Sequence, residues 1–360
     1  YNRKITDIFA VQEEISKEIS ERLRLRLTGE DQKRLASRST QNTEAYQLYL
    51  KGRYYWNKRT PQGFKKALEH FQQAIEKDPA YALAYSGLAD CYSMLAWYGV
   101  LAPKDSLPRA KAAATKALGI DDALAEAHAS LAWPKFNYDW DWSGSEKEFK
   151  RAIELNPNYA TAHQWYRSIF QSHGRLGEAM AQALRATEVD PLSLVNNAVV
   201  GQVFAASRQY DRAIEQLRKT LEMDPNFPLT RLWLGMTYEQ KGLYEAAVAE
   251  LQKATELFER EPIGLAALGH AYAVSGKRVE ARKVLEELNQ LHKQRYVSAY
   301  FMAAIYTGLG EKDQAWAWLE KAHEERASWL SQLLKTDPRF DSLRSDPRYQ
   351  DLLRRMGLPP

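Results

Sequence analysis

The chain has 360 residues, 45% of them hydrophobic, 27% charged and 11% aromatic, with a mean hydropathy of −0.55. That excludes a disordered tail, and a net charge of +4 is too slight to point to nucleic acid or a membrane surface. A single cysteine, Cys91, cannot form an internal disulfide, so a reducing cytoplasm is the expected compartment.

From the N-terminus, residues 6–27 predict one helix, because Val11, Ile15, Ile19, Leu23 and Leu27 recur every four positions. Thr28-Gly29 should end it, and residues 31–43 read as a polar connector. From Tyr1 to Lys66, Lys and Arg clearly outnumber Asp and Glu, read here as a solvated polar face because aromatics are not interleaved. The opening segment YNRKITDIFAVQEEISKEI resembles the end of a small α/β domain, often called TolB-like. In bacterial multidomain regulators that domain precedes repeat arrays, with a kinase, winged-helix or cyclase domain upstream. With Tyr at position 1 and no secretory leader, the sequence reads as a piece of a longer protein. The most apolar stretch, 81–102, is broken by Asp90, so no membrane span is expected.

From about residue 44 a period takes over. Ala179, Ala213, Ala247, Ala281 and Ala315 stand at even spacing, thirty-four positions from each to the next. Phe170, Phe204, Tyr238, Tyr272 and Tyr306 keep the same step, as do Gly201, Gly235 and Gly269, and Pro157, Pro191 and Pro225. Glycine, then an aromatic, then alanine, a further small residue and a closing proline resemble the tetratricopeptide repeat (TPR). About eight such units are read between residues 44 and 325. The physics agrees: each unit predicts two amphipathic helices with small residues at their contact. A single unit cannot bury its apolar face, so neighbours must stack. The expected fold is all-α, a right-handed superhelical solenoid of about eight TPRs, with the resemblance implying close to one turn around a concave groove. Two units are long, around Thr60-Pro61-Gln62-Gly63 and around residues 98–103, and such insertions map to loops.

No catalytic constellation emerges. Residues 269–277 (GHAYAVSGK) have the wrong glycine spacing for a phosphate loop, and Arg278 replaces the Ser or Thr that would hold Mg²⁺. The seven histidines show no metal-ligand spacing, and His128 and His163, in matching places of adjacent units, are read as stacked core imidazoles. Neither a cofactor, a metal site nor an enzyme activity is expected. The densest oddity is WPKFNYDWDW at 133–142, read as a packed aromatic seam, with a sugar or small-ligand site as the alternative. Pro134 should kink or shorten its helix.

Towards the C-terminus, Asp337-Pro338 and Asp346-Pro347 each predict a helix start. Trp329, Leu330, Leu333 and Leu334 should then lay an apolar face on the last repeat and cap the array from 326 onward. The resemblance implies a protein-binding groove lined by Gln164, Ser168, Gln171, Ala198, Gln202, Leu229, Leu232, Met236, Glu239, Gln240, Ile263, His270 and Tyr300. Glu239 alone of these is charged, with His270 ambiguous. The partner implied is therefore a protein or peptide of apolar and amide character, with no nucleic acid bound by this region. The expected function is a scaffold or sensor arm of a bacterial regulatory protein. Oligomeric state is not legible.

Overall fold

A computed structural model describes residues 40–359; the helix expected over 6–27 and the start of the connector lie outside the described residues. Among the described residues there are eighteen α-helices and no strand. Sixteen of them form eight consecutive hairpin pairs: α1 (Thr43–Asn57) with α2 (Pro61–Lys77), α3 (Ala82–Trp97) with α4 (Pro103–Ile120), α5 (Ala125–Pro134) with α6 (Trp142–Leu155), and α7 (Ala160–Ser172) with α8 (Leu176–Val189). They continue as α9 (Leu194–Ala206) with α10 (Tyr210–Met223), α11 (Pro228–Gln240) with α12 (Tyr244–Leu257), α13 (Pro262–Val274) with α14 (Arg278–Gln294), and α15 (Ala299–Gly308) with α16 (Lys312–Glu324).

Local chemistry explains the boundaries. Thr60 caps α2 by accepting from the Gly63 amide at 3.1 Å, with Pro61 at the first helical position. The second helices of four units stop at Asp78, Asn156, Asp190 and Asp224, all in extended or near-extended geometry, because the residue before proline avoids the helical region. Three of those side chains then accept the amide two residues on, at 2.8–3.1 Å, fixing the turn into the next unit. Between paired helices the glycines allow close approach: a Cβ on Gly201 would lie 2.5 Å from Leu217 Cγ, and one on Gly235 equally close to Leu251 Cγ. Pro134 does shorten its helix. It removes an intrahelical donor, and the chain continues as a π-helical turn, Lys135–Asp139, which Trp140 ends with a left-handed φ of 55°.

The stack curls until distant units meet, a right-handed solenoid of about eight repeats. Gln62 Nε2 donates to Glu259 Oε2 at 2.7 Å, 197 residues away in sequence. The long turn after α3, expected as a loop, packs inward: Tyr98 is buried with its ring 5.0 Å from Phe64 and 6.1 Å from Phe258.

The C-terminal segment departs most from expectation. Both Asp-Pro starts are present, Asp337 capping a 3₁₀ turn (Pro338–Leu343) and Asp346 capping α18 (Pro347–Arg355). Helix α18 does run along the last pair, with Asp346 accepting from Trp316 Nε1 at 3.1 Å and Arg355 pairing with Glu320 at 2.6 Å. The short helix α17 (Ser328–Leu333) does not lie on the end of the array. It enters the concave side and packs on α7, α3 and the π turn. The reason is apolar area: the inner faces of several units leave a continuous hydrophobic wall, and one end face offers far less.

Candidate protein-binding groove

The inner surface is built by the first helix of each pair, and residues 328–343 occupy it. Trp329 is the anchor. Its ring stacks on Trp233 at 5.6 Å and 19°, lies 5.2 Å from Trp97 and 5.2 Å edge-on to Phe301, and approaches Tyr300 at 6.2 Å. Its indole N–H donates to the Trp97 carbonyl at 3.0 Å, while Trp97 Nε1 donates to Gln332 Oε1 at 2.8 Å. Leu330 and Leu334 are fully buried, and Phe340 packs 5.0 Å from Tyr300. The two indole hydrogen bonds alone join groups 232 and 235 residues apart in sequence.

Polar bonds fix the register of that segment. Asp337 and Arg339 form a bidentate pair, with Nη2 2.6 Å from Oδ2, and both side chains are almost wholly buried. The Tyr300 hydroxyl donates to the same Asp337 oxygen at 2.7 Å. Burial alone would raise the Asp337 pKa, but the Arg339 guanidinium and the Tyr300 hydrogen bond hold it below the usual carboxylate range. The Tyr300 hydroxyl is pushed well up by burial and by that carboxylate. Further along, Gln171 Nε2 donates to Thr336 Oγ1 at 3.3 Å. On the π turn the Asn137 amide, oriented to satisfy its neighbours, accepts from Trp133 Nε1 and donates to Ser331 Oγ, both at 3.1 Å.

The groove residues expected from the repeat register can now be placed. Gln164, Ser168, Gln171, Ala198, Gln202, Leu229, Leu232, Glu239, Ile263, His270 and Tyr300 are all buried, while Met236 and Gln240 are half-buried. Leu229, Leu232, Ile263 and Tyr300 share one core with Leu330, Leu333 and Phe340 of the C-terminal segment. The expected groove is thus a covered surface in this conformation, not an open cleft. Glu239 and His270 face each other at 2.8 Å, side chains nearly inaccessible, and Gln240 Nε2 donates to the other Glu239 oxygen at 2.8 Å. The expectation from sequence missed the Trp97, Trp233 and Phe301 walls of the cage. The tryptophan content of α3 and α11 was visible, but nothing local marked those rings as one surface.

Two other singled-out features resolve differently. His128 and His163 are not stacked imidazoles. Each bridges its own hairpin: His128 bonds Glu148 at 2.7 Å and the Asp122 carbonyl at 3.0 Å, His163 bonds Gln182 at 2.7 Å and the Pro157 carbonyl at 3.1 Å. Asn197 and Arg231 repeat the device in the next units, so the position selects a side chain that can reach both a helix and a turn. The Glu148 pKa is held down to about 2 by its hydrogen bond from His128 and by Lys135. The 133–142 aromatics pack on protein: Trp133 lies 4.8 Å from Trp165 and Phe136 5.4 Å from Trp142, whose indole donates to the Met356 carbonyl at 3.0 Å. With Trp133, Phe136 and Trp140 buried, this stretch is a seam to the C-terminal segment, and the geometry disfavours a sugar site. Among the described residues no group of His, Cys, Asp and Glu is arranged to hold a metal, and no helix is long and apolar enough to cross a membrane.

Residues 201–262 match the Tetratricopeptide repeat family. Over those residues the chain carries tetratricopeptide repeats. Among solved structures, its TPR solenoid is similar to the APC/C hetero-tetramer Cut9–Hcn1, with a TM-score of 0.60 at 17% identity over 92% of this chain and 60% of that one. Yeast Tom70 gives 0.51 at 16% identity, over 88% of this chain and 68% of that one. Among curated proteins, a putative adenylate cyclase 3 of Rhizobium meliloti is 31% identical over 139 residues, covering 37% of this chain and 23% of that protein. The transcriptional regulator HilA of Salmonella typhimurium is 28% identical over 144 residues, covering 40% of this chain and 26% of that protein. The TPR chain therefore spans about a quarter of the length of these relatives.

Proposed function

We propose that this TPR array is the non-catalytic interaction arm of a larger bacterial regulator, and that it holds a protein or peptide segment along its concave surface. The repeat fold itself supports a protein-interaction scaffold. The regulatory setting is favoured by the partial likeness to a protein described as a cyclase and to a transcriptional regulator. One observation carries the groove reading: that surface already receives a peptide segment, 328–343, by an aromatic anchor, aliphatic burial and hydrogen bonds. A foreign segment of similar make-up would be recognised by the same cage.

The test uses a labelled peptide copy of residues 326–345 and the full chain. Trp329→Ala with Leu333→Ala weakens the resident segment, so this variant should bind the copy at least about tenfold more tightly than the unaltered chain. Adding Leu232→Glu should remove that binding, since it buries a charge in the wall. Equal, weak binding by all three chains would refute the groove as a peptide site.

A further inference from the structure

Residues 328–343 leave part of the concave surface uncovered. A cavity of about 40 Å³ lies between α9, α11 and the C-terminal segment. Its walls are apolar: Ala205, Ala206, Trp233 and Met236 come from the array, Leu333 and Pro338 from the segment. Ala206, Trp233 and Leu333 are buried, while Ala205, Met236 and Pro338 are half-buried, which puts the mouth at those three. At ~10–15 Å³ per water, the volume takes about three water-sized groups, the size of a branched aliphatic tip.

The polar groups around this cavity fall into two sets. Asp337 and Arg339 already satisfy each other, and the Tyr300 hydroxyl adds to the carboxylate's bonding. Thr336 Oγ1 accepts from Gln171 and donates to the Leu333 carbonyl. None of these calls for a charged occupant, and a charged side chain would enter with no counter-charge left to meet it. Gln202 and Gln240 also line the cavity, and they differ. Gln202 Oε1 accepts from Arg167, and Gln240 Nε2 donates to Glu239. Among the described residues that leaves Gln202 Nε2 and Gln240 Oε1 without a protein partner. One free donor and one free acceptor thus stand on neighbouring helices beside an apolar floor.

We propose that this cavity is a docking subsite for a short branched aliphatic side chain, valine in size, of an extended partner segment. The array and the seated C-terminal segment form it jointly. The free Gln202 N–H and Gln240 carbonyl bond the partner's backbone, because extended peptides gain affinity from main-chain hydrogen bonds and selectivity from side-chain pockets. Continuity argues for this occupant: the cavity prolongs the interface that already seats Leu333, so a partner lying there runs beside residues 336–339 and extends the same core. The proposal rests on the reading of the array as an interaction arm. It does not need residues 328–343 to be displaced, since Leu333 and Pro338 are two of the walls.

The full chain, isotope-labelled at its methionine methyl groups, provides the test by nuclear magnetic resonance. Six methionines give a sparse spectrum, and the Met236 signal, assigned by its loss in Met236→Leu, reports from the cavity wall. N-acetyl-valine methylamide is titrated in, with the glycine and aspartate analogues alongside. The valine compound should shift the Met236 signal saturably, and the other two should bind at least about tenfold more weakly. Ala205→Leu fills the half-buried side of the cavity and should abolish the shift at an unchanged melting temperature. The comparison of the three compounds is made in the unaltered chain and stands whether or not that variant folds. No saturable shift with the valine compound would overturn the proposal, as would undiminished binding in a folded Ala205→Leu chain. So would equal binding of the glycine compound, which fills no pocket, or of the aspartate compound, which would make the cavity a charged site. A Met236 signal that moves with protein concentration alone would give the cavity to a second copy of the chain and overturn the proposal too. The labelled 326–345 peptide is a separate matter, because it reads the groove after the resident segment has been loosened.

Discussion

The units from α9 to α14 and the segment after Arg326 bury apolar surface by opposite strategies. In the array each contact is local and repeated: Gly201 meets Leu217 in one unit, and Gly235 meets Leu251 in the next. In the C-terminal segment the Asp-Pro-Arg turn occurs twice, but the long-range contacts do not repeat. Trp329 reaches Trp97, Trp233 and Phe301 on three separate helices, and Asp337 is gripped by Tyr300 and Arg339. The difference teaches where cooperativity should come from. A solenoid alone is stabilised only between neighbours and can fray unit by unit. A segment threaded through its middle ties the second, sixth and eighth units to one another.

If that is right, the largest effect belongs to the segment. Trp329→Ala should cost about 3–5 kcal/mol, the range for truncating a buried aromatic, and should broaden the thermal transition because the units uncouple. A sharp transition at an unchanged temperature would mean that the threaded segment ties nothing. Asp337→Asn should destabilise nearly as strongly, since it leaves Arg339 buried and unpaired, at about 3–5 kcal/mol for a broken buried pair. The same pair sets an acid dependence. The folded Asp337 pKa is depressed, so its contribution is complete above the unfolded value near 4 and is lost as pH falls below it. Urea titrations between pH 7 and pH 3 should show that loss in the unaltered chain and less of it in Asp337→Asn. Within the array, Ala247→Trp should cost about 1–3 kcal/mol or more by forcing α11 and α12 apart. The effect should stay in that hairpin, read by hydrogen exchange, where Trp329→Ala should spread. At the smallest end, Lys219→Ala removes an exposed pair with Glu215 and should leave the melting temperature unchanged.

This contrast also explains what the sequence made legible. The alanine, glycine and aromatic series report contacts that recur once in every unit, so periodicity marks the hairpins and their close-approach faces, while the inward positions are what the family resemblance implies. The resemblance implies inward-facing Gln171, Leu232 and Tyr300, and all three are buried. Their occupant left no such signal. Trp329, Leu330, Leu333 and Leu334 mark an apolar helix face, but a face does not say which of two apolar surfaces it meets. The area available decided for the groove over the end of the array. His128 and His163 show the reverse: their equal register was visible, but their bridge to Glu148 and Gln182 depends on helix geometry that residue type alone does not specify.

Residues 328–343 lie inside the concave surface as part of the folded core, and the coupling of distant units depends on that arrangement. Hydrogen exchange of the intact chain tests it most directly. The amides of α17 and of the 3₁₀ turn should exchange as slowly as those of α9 and α11, because both are sealed by the same aromatic cage. Trp329→Ala should release them together with part of α3 and α11. Rapid exchange across 328–343 in the unaltered chain, with α9 and α11 still protected, would contradict the claim and leave an open groove in its place.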